Sequence, residues 1–219
     1  MDGNGRWATR QGHSRARGHE AGVEAVRRVA EAAPAQGIGT LTLYAFSADN
    51  WCRPASEVTA LMALFLLYLA SETPRMIADG IRLTLIGRRD RLPPALVAEM
   101  ARAESVTADG EGLHLRIALD YSGRDAILRA AGEIAGAHHL TCDGFARLVT
   151  GERTPRDVDL VIRTGGEQRL SDFLLWESAY AELYFTERMW PEFGADDLAA
   201  ALAAFRRRER RFGGLSAAA

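Results

Sequence analysis

Apolar positions change period along the chain, and the changes mark its elements. Val23, Val26 and Val29 form one stripe while Glu24, Arg27 and Arg28 lie off it, which predicts a helix over 20–35. Gly37 and Gly39 follow as its stop. Leu41 to Phe46 is a short β-rich run, followed by a polar loop to Pro54. A long helix is predicted over 55–79, and its segment Val58 to Ala70 is apolar all round. Arg82 to Gly87 reads as a strand, Pro93 to Thr107 as a helix, Leu113 to Leu119 as a strand and 123–137 as a helix. Residues 138–157 carry only a weak pattern of short helix and loop. Val158 to Ile162 is a fourth strand, Ala181 to Phe185 leads into a fifth, and a last helix covers 195–211. Strands alternating with helices predict an α/β fold with a mainly parallel central sheet flanked by helices, as one domain over 1–219. Ligands in such sheets gather where the strands end.

Composition narrows the class. The chain has 219 residues, 47% hydrophobic and 26% charged, the range of globular proteins with a full core. Its 27 basic residues against 29 acidic ones leave a net charge of -2, which argues against nucleic acid as a partner. Every basic residue other than histidine is Arg. Guanidinium forks suit phosphate and carboxylate, so the question is which arginines meet an anion. Cys52 and Cys142 have neither disulfide nor metal spacing, and a reducing cytoplasm is expected. The polar opening Met1 to Trp7 is not a signal peptide, and the apolar run 58–70 is shorter than the roughly 20 residues of a membrane span.

Three segments carry anion-binding side chains, two of them with glycine. Asp2-Gly3-Asn4-Gly5-Arg6-Trp7 reads as a glycine-rich turn whose backbone N–H groups can approach an anion, with Arg6 and Arg15 as phosphate clamps and His19 at a helix start. Asp2 offers the carboxylate oxygen that Mg²⁺ prefers. The loop after the first strand carries Ser47, Asn50, Trp51 and Arg53, which suit polar bonding together with cover for an apolar group. Arg163-Thr164-Gly165-Gly166-Glu167, with Arg169 and Ser171, again follows a strand and suits a diphosphate. Glu182 stands in an aromatic run, where an acid is paired, exposed or a ligand. The basic stretch 206–211 reads as a solvated helix end.

In order along the chain stand Asp-Gly-Asn-Gly-Arg-Trp at 2–7, Leu-Tyr-Ala-Phe-Ser at 43–47, Asn-Trp at 50–51, Arg-Thr-Gly-Gly-Glu at 163–167 and Arg-Glu-Arg-Arg-Phe-Gly-Gly at 208–214. This ordered set resembles the cis-prenyltransferases over nearly the whole chain. The resemblance implies a homodimer that condenses isopentenyl diphosphate onto an allylic diphosphate such as farnesyl diphosphate. The implied product is a cis-polyprenyl diphosphate such as undecaprenyl diphosphate, for synthesis of a cell-wall lipid carrier, and Mg²⁺ is the implied cofactor. By the same resemblance Asp2 and Glu182 hold Mg²⁺, and Asp2 and Asn50 are catalytic. Gly3, Asn4, Gly5, Arg6, Trp7, Arg15 and His19 match the allylic diphosphate site. Ser47, Trp51 and Arg53 match the loop between the two substrates, and Arg163, Arg169 and Ser171 the isopentenyl diphosphate site. Arg211 to Gly213 matches a segment that reaches the partner subunit. The helix over 58–70 becomes a wall for the growing hydrocarbon, with Tyr68 as its expected floor and a product no longer than the undecaprenyl class.

Members of that family carry an apolar, strand-forming segment just before Asp-Gly-Asn. Here the chain starts at Met1, so the first strand is expected to be missing and the start truncated or miscalled. Asp120 and Asp172 stand where Asn is usual, and Ser122 where Gly is, which places added negative charge near the site. The other readings are a short-chain or irregular cis-prenyl diphosphate synthase and a non-catalytic partner subunit of the same fold. The expected location is the cytoplasm, with transient contact at the inner membrane surface through the lipid product.

Overall fold

The computed structural model describes residues 1–134 and 140–210. Seven α-helices and five strands occur among them: α1 (Asn4–Arg10), α2 (Arg15–Ala32), β1 (Thr40–Ser47), α3 (Ala55–Ala78), β2 (Arg82–Ile86), α4 (Pro94–Val106), β3 (His114–Tyr121), α5 (Gly123–Glu133), α6 (Cys142–Thr150), β4 (Leu160–Arg163), β5 (Glu182–Phe185) and α7 (Ala195–Arg206). Every strand pairing is parallel, as the alternation predicts. The strands form two sheets, a three-stranded one in the order β1-β3-β2 and the pair β4-β5, where one central sheet is expected. Among the described residues no strand precedes α1. β1 and β4 both line a cavity of about 1330 Å³.

β3 is the middle strand of its sheet and is buried from Leu115 to Tyr121. Two covered faces explain its lack of strict alternation. Leu115 and Leu119 are 1% and 2% exposed and pack with Leu83, Leu85, Leu96 and Met100 in the main core. Arg116 interrupts this run and meets Glu152 at 3.1 Å.

The N-terminal segment corrects the sequence reading. Asn4 to Arg10 is a helix, although Gly3, Asn4 and Gly5 are poor helix formers. Packing supplies what propensity lacks: a Cβ on Gly18 of α2 would lie 2.1 Å from the Asn4 carbonyl oxygen, and one on Gly22 2.8 Å from Asn4 Oδ1. The two glycines therefore let α1 lie directly on α2. α2 starts at Arg15, capped by the Ser14 side chain, so His19 sits one turn inside the helix and not at its start.

α3 has 24 residues, as the predicted helix over 55–79 requires, and taken whole it is long and apolar enough to cross a membrane. Here Val58, Leu61, Met62 and Leu69 enter the core, and its buried Glu72 is forked by Arg27 of α2. Tyr68 packs beside this pair and lines neither of the cavities described below. The structure does not place it as the floor of a tunnel.

The basic stretch at the end of α7 is exposed from Arg206 to Glu209, as expected, and is also tied to the rest of the fold. Arg206 bonds the Gln36 carbonyl at 3.0 Å, Arg208 pairs with Glu182 at 2.5 Å, and Arg210 pairs with Asp159 at 2.6 Å. Arg211 to Gly213 lies outside the described residues.

Candidate active site

Asp2 is held at the end of β4 by three bonds. Its backbone N–H donates to Thr164 Oγ1 at 2.9 Å, the Thr164 hydroxyl donates back to the Asp2 carbonyl at 2.9 Å, and the Trp190 N–H donates to that carbonyl at 3.0 Å. Gly3 then turns the chain at φ 101, a left-handed conformation suited to glycine. This turn brings the Gly3 N–H to the Asp2 carboxylate at 2.6 Å. Arg163 donates to the other carboxylate oxygen at 3.0 Å, and Arg6 approaches at 3.4 Å. Burial pushes the Asp2 carboxyl up, but Arg163, the Gly3 N–H and Arg6 together outweigh it and hold the group below its ordinary value.

Arg163 joins this cluster to the Gly-Gly segment. Its guanidinium donates to Ser171 Oγ at 2.8 Å and to the Arg169 carbonyl at 2.5 Å. Arg169 pairs with Glu167 at 2.6 Å, and Arg6 reaches the same carboxylate at 3.8 Å. Gly165, at φ 88, makes room: a Cβ there would meet Arg6 at 2.9 Å and the Asp2 carbonyl carbon at 3.2 Å. Three guanidinium groups thus converge on two carboxylates, with Arg6 and Arg169 on the exposed side.

A second cluster centres on Glu57, in the first turn of α3. Arg15 meets it at 3.3 Å, Arg53 at 3.2 Å and His19 Nε2 at 3.6 Å. Burial, and then the charges of Arg53 and Arg15, lower the His19 pKa against the pull of Glu57, so its imidazole is neutral at pH 7. Gly5 lets Arg15 lie against α1, since a Cβ there would come within 2.9 Å of the guanidinium. The loop after β1 is fixed by its own side chain: Asn50 Oδ1 accepts the Ser47 N–H at 3.2 Å.

Both clusters touch the large cavity, although Arg6, Arg15 and Glu57 do not line it themselves. Asp2, Asn4, His19, Ser47, Asn50, Arg53, Arg163, Arg169 and Ser171 line it, together with apolar Leu43, Phe46, Leu61, Trp190 and Phe193. Asn4 Oδ1 and His19 Nε2 are buried there without a hydrogen-bond partner. Trp7 points elsewhere and donates to Glu192 at 3.1 Å. Trp51 turns to Asp120, and Glu182 stands at the start of β5, opposite Leu160, three residues before the site end of the strand pair. Within the chain Glu182 is not brought to Asp2. No group of three or more metal-binding side chains occurs among the described residues. Asp2 alone still fits Mg²⁺, which commonly takes one carboxylate and completes its shell with substrate phosphate oxygens and water.

Cationic clamps at strand ends, beside a cavity whose lining mixes polar with apolar side chains, suit substrates that join a diphosphate to a hydrocarbon. Residues 1–213 match the family model described as "Putative undecaprenyl diphosphate synthase". The chain belongs to this family. It is 69% identical over 217 residues to isoprenyl transferase 1 of Bradyrhizobium diazoefficiens, covering 99% of this chain and 88% of that relative. It is 48% identical over 221 residues to a ditrans,polycis-undecaprenyl-diphosphate synthase ((2E,6E)-farnesyl-diphosphate specific) of Salmonella typhi, covering 98% and 88%. A crystal structure of lavandulyl diphosphate synthase from Lavandula x intermedia, in complex with dimethylallyl diphosphate, superposes with a TM-score of 0.94 at 34% identity, covering 97% of this chain and 95% of that one.

Sequence reasoning missed Thr164 and Glu57 as site residues. Glu57 had a signal, since it lies four residues after Arg53 at a helix start, where such pairs form. Thr164 had none beyond its place after a strand. The unusual Asp120, Ser122 and Asp172 each have a local partner. Asp120 is paired with Arg91, Ser122 caps α5 through the Asp125 N–H at 3.0 Å, and Asp172 accepts the Arg124 N–H at 2.9 Å.

Proposed function

We propose that this chain elongates prenyl chains, condensing isopentenyl diphosphate onto an allylic diphosphate, with farnesyl diphosphate as primer, to form a cis-polyprenyl diphosphate of the undecaprenyl type. The observation that carries this reading is the pair of arginine clusters, around Asp2 and around Glu57, which meet one cavity through Arg163 and Arg169 and through Arg53, beside apolar Phe46, Leu61, Trp190 and Phe193. The farnesyl specificity in the name of the Salmonella relative supports the primer. The relatives' names do not favour a short-chain or irregular synthase or a non-catalytic partner subunit.

The reaction breaks the allylic C–O bond, joins the allylic carbon to the isopentenyl double bond and releases diphosphate and a proton. Negative charge grows on the departing diphosphate. In this reading Arg6, Arg15 and Arg53 stabilise it, and Arg163 and Arg169 hold the isopentenyl diphosphate. Neutral His19 and Asn50 supply hydrogen bonds without adding charge. Phe46, Leu61, Trp190 and Phe193 keep water from the reacting carbons. Mg²⁺, when bound at Asp2 with the substrate diphosphate, would neutralise charge on the leaving group.

A homodimer, a cytoplasmic location and transient contact with the inner membrane surface are part of the same proposal. They rest on the family likeness and on the lipid nature of the product. Incubating the purified chain with farnesyl diphosphate, Mg²⁺ and labelled isopentenyl diphosphate tests the reading. The expected products are a series of polyprenyl diphosphates with new cis double bonds. A single addition, an irregular junction or no product would refute it.

A further inference from the structure

Trp51 lies in the loop between Asn50 and Arg53, yet its side chain is tied to a different part of the fold. Its indole N–H donates to Asp120 Oδ1 at 2.8 Å. Asp120, at the end of β3, is 0% exposed and has φ 51. Arg91 donates to Asp120 Oδ2 at 3.0 Å and makes a second bond to Oδ1. The Arg91 guanidinium also lies 5.4 Å from the centre of the Trp51 ring. A buried carboxylate, a guanidinium and an indole therefore close a three-sided contact. Phe46 buttresses it edge-on, with ring centres 5.5 Å apart.

A buried carboxylate left without its partners is costly, so this contact has one favoured arrangement. Asp120 holds a left-handed backbone that Asn, Asp and Gly tolerate and other residues resist. Trp51 and Arg91 also line a second, mainly apolar cavity of about 320 Å³, together with Val58, Met62, Leu66 and Leu96. Trp51 thus lines this cleft, while Asn50 and Arg53 of the same loop line the main cavity.

We propose that Asp120 and Arg91 are positioning residues: they lock Trp51, and through it set the orientation of Asn50 and Arg53 towards the diphosphates. The proposal rests on the condensation reading of the main cavity. It assigns the unusual Asp120 a role that an Asn fills only in part. Asn can still accept the indole N–H, but it has no charge for Arg91.

The test uses the full chain with ¹⁵N-labelled indoles, Trp51 being assigned by the loss of its signal in Trp51→Phe. The Trp51 N–H is expected to be protected from solvent exchange. Asp120→Gly, which suits the backbone, is expected to speed that exchange at least about tenfold, while Asp120→Asn keeps it slow. In turnover, Asp120→Gly is expected to lower kcat about tenfold with KM for either diphosphate changed less than about twofold, because Arg6, Arg15, Arg163 and Arg169 keep their places and only Asn50 and Arg53 are released. Asp120→Asn is expected to recover most of that loss. Asp120→Gly added to Trp51→Phe is expected to cost nothing further, since the two act through one contact. Losses that multiply, a rise in KM with kcat intact, or an indole that exchanges freely in the unsubstituted chain would overturn the proposal. Absence of turnover in the unsubstituted chain overturns the condensation reading instead, and the exchange comparison then still decides the contact.

Discussion

Replacing Gly18 by Ala puts one methyl group between α2 and the helix that carries Asn4 and Arg6. The added Cβ would stand 2.1 Å from the Asn4 carbonyl oxygen and 2.8 Å from its carbonyl carbon. Real Cβ contacts hardly ever fall below 3.0 Å, so the start of α1 must move about 0.9 Å. This is backbone, not the free end of a side chain, so rotation cannot relieve it. A displacement of about 1 Å at a site can cost about a hundredfold in rate. Stability responds less: overpacking costs about 1–3 kcal/mol, and exchanging Gly for Ala inside a helix returns about 1 kcal/mol. Gly18→Ala is therefore expected to lose about a hundredfold in kcat/KM while unfolding with a net loss of about 0–2 kcal/mol. Gly132→Ala is the control, because a Cβ there meets nothing within 4 Å. It is expected to keep full activity and to gain up to about 1 kcal/mol. Steady-state turnover and urea denaturation read both quantities. Full activity in Gly18→Ala would refute the claim that α1 is seated through this glycine.

Thr164→Val keeps the side-chain shape and removes both bonds to the Asp2 backbone. It is expected to cost about 1–3 kcal/mol and to lower turnover as Asp2 loses its fixed position; unchanged denaturation and turnover would count against that role. His114 contacts Arg82 at 3.0 Å and Thr84 at 2.9 Å, and burial followed by the charges of Arg82 and Arg116 lowers its pKa to about 4. The unfolded chain takes up this proton near pH 6.5, so the contribution of His114 to stability is present above that pH and is lost as pH falls towards about 4. An NMR titration is expected to show its midpoint near 4, and a midpoint at 6 or above would contradict the assignment.

The alternation of elements was legible because β3 and the long helices carry strong patterns that packing then reinforces. The stretch around Gly3 was not, because α1 owes its helix to Gly18 and Gly22 on a neighbour, and no local propensity reports that. The division into two sheets was likewise hidden, since pairing depends on which edges meet and not on the strands' own sequences. At the site, Arg6, Arg163, Arg169 and Ser171 could be chosen from the residues because their chemistry is explicit. Thr164 could not, because it acts by holding another group in place, and Glu57 showed only its spacing from Arg53. Glu182 stands apart from the Asp2 cluster within the chain. Its motif carries a likeness, but within the chain its carboxylate is engaged by Arg208 at the far end of the strand.

The central claim is that Asp2, held between Arg163, Arg6 and the Gly3 N–H, organises a Mg²⁺-dependent condensation at the shared cavity. Comparing turnover of labelled isopentenyl diphosphate by the unsubstituted chain and by Asp2→Asn, each with Mg²⁺ and with a chelator, tests it most directly. The unsubstituted chain is expected to need Mg²⁺, and Asp2→Asn to fall by about 10²–10³ in kcat while remaining folded. Equal turnover by the two proteins, or turnover that persists under the chelator, would contradict the claim.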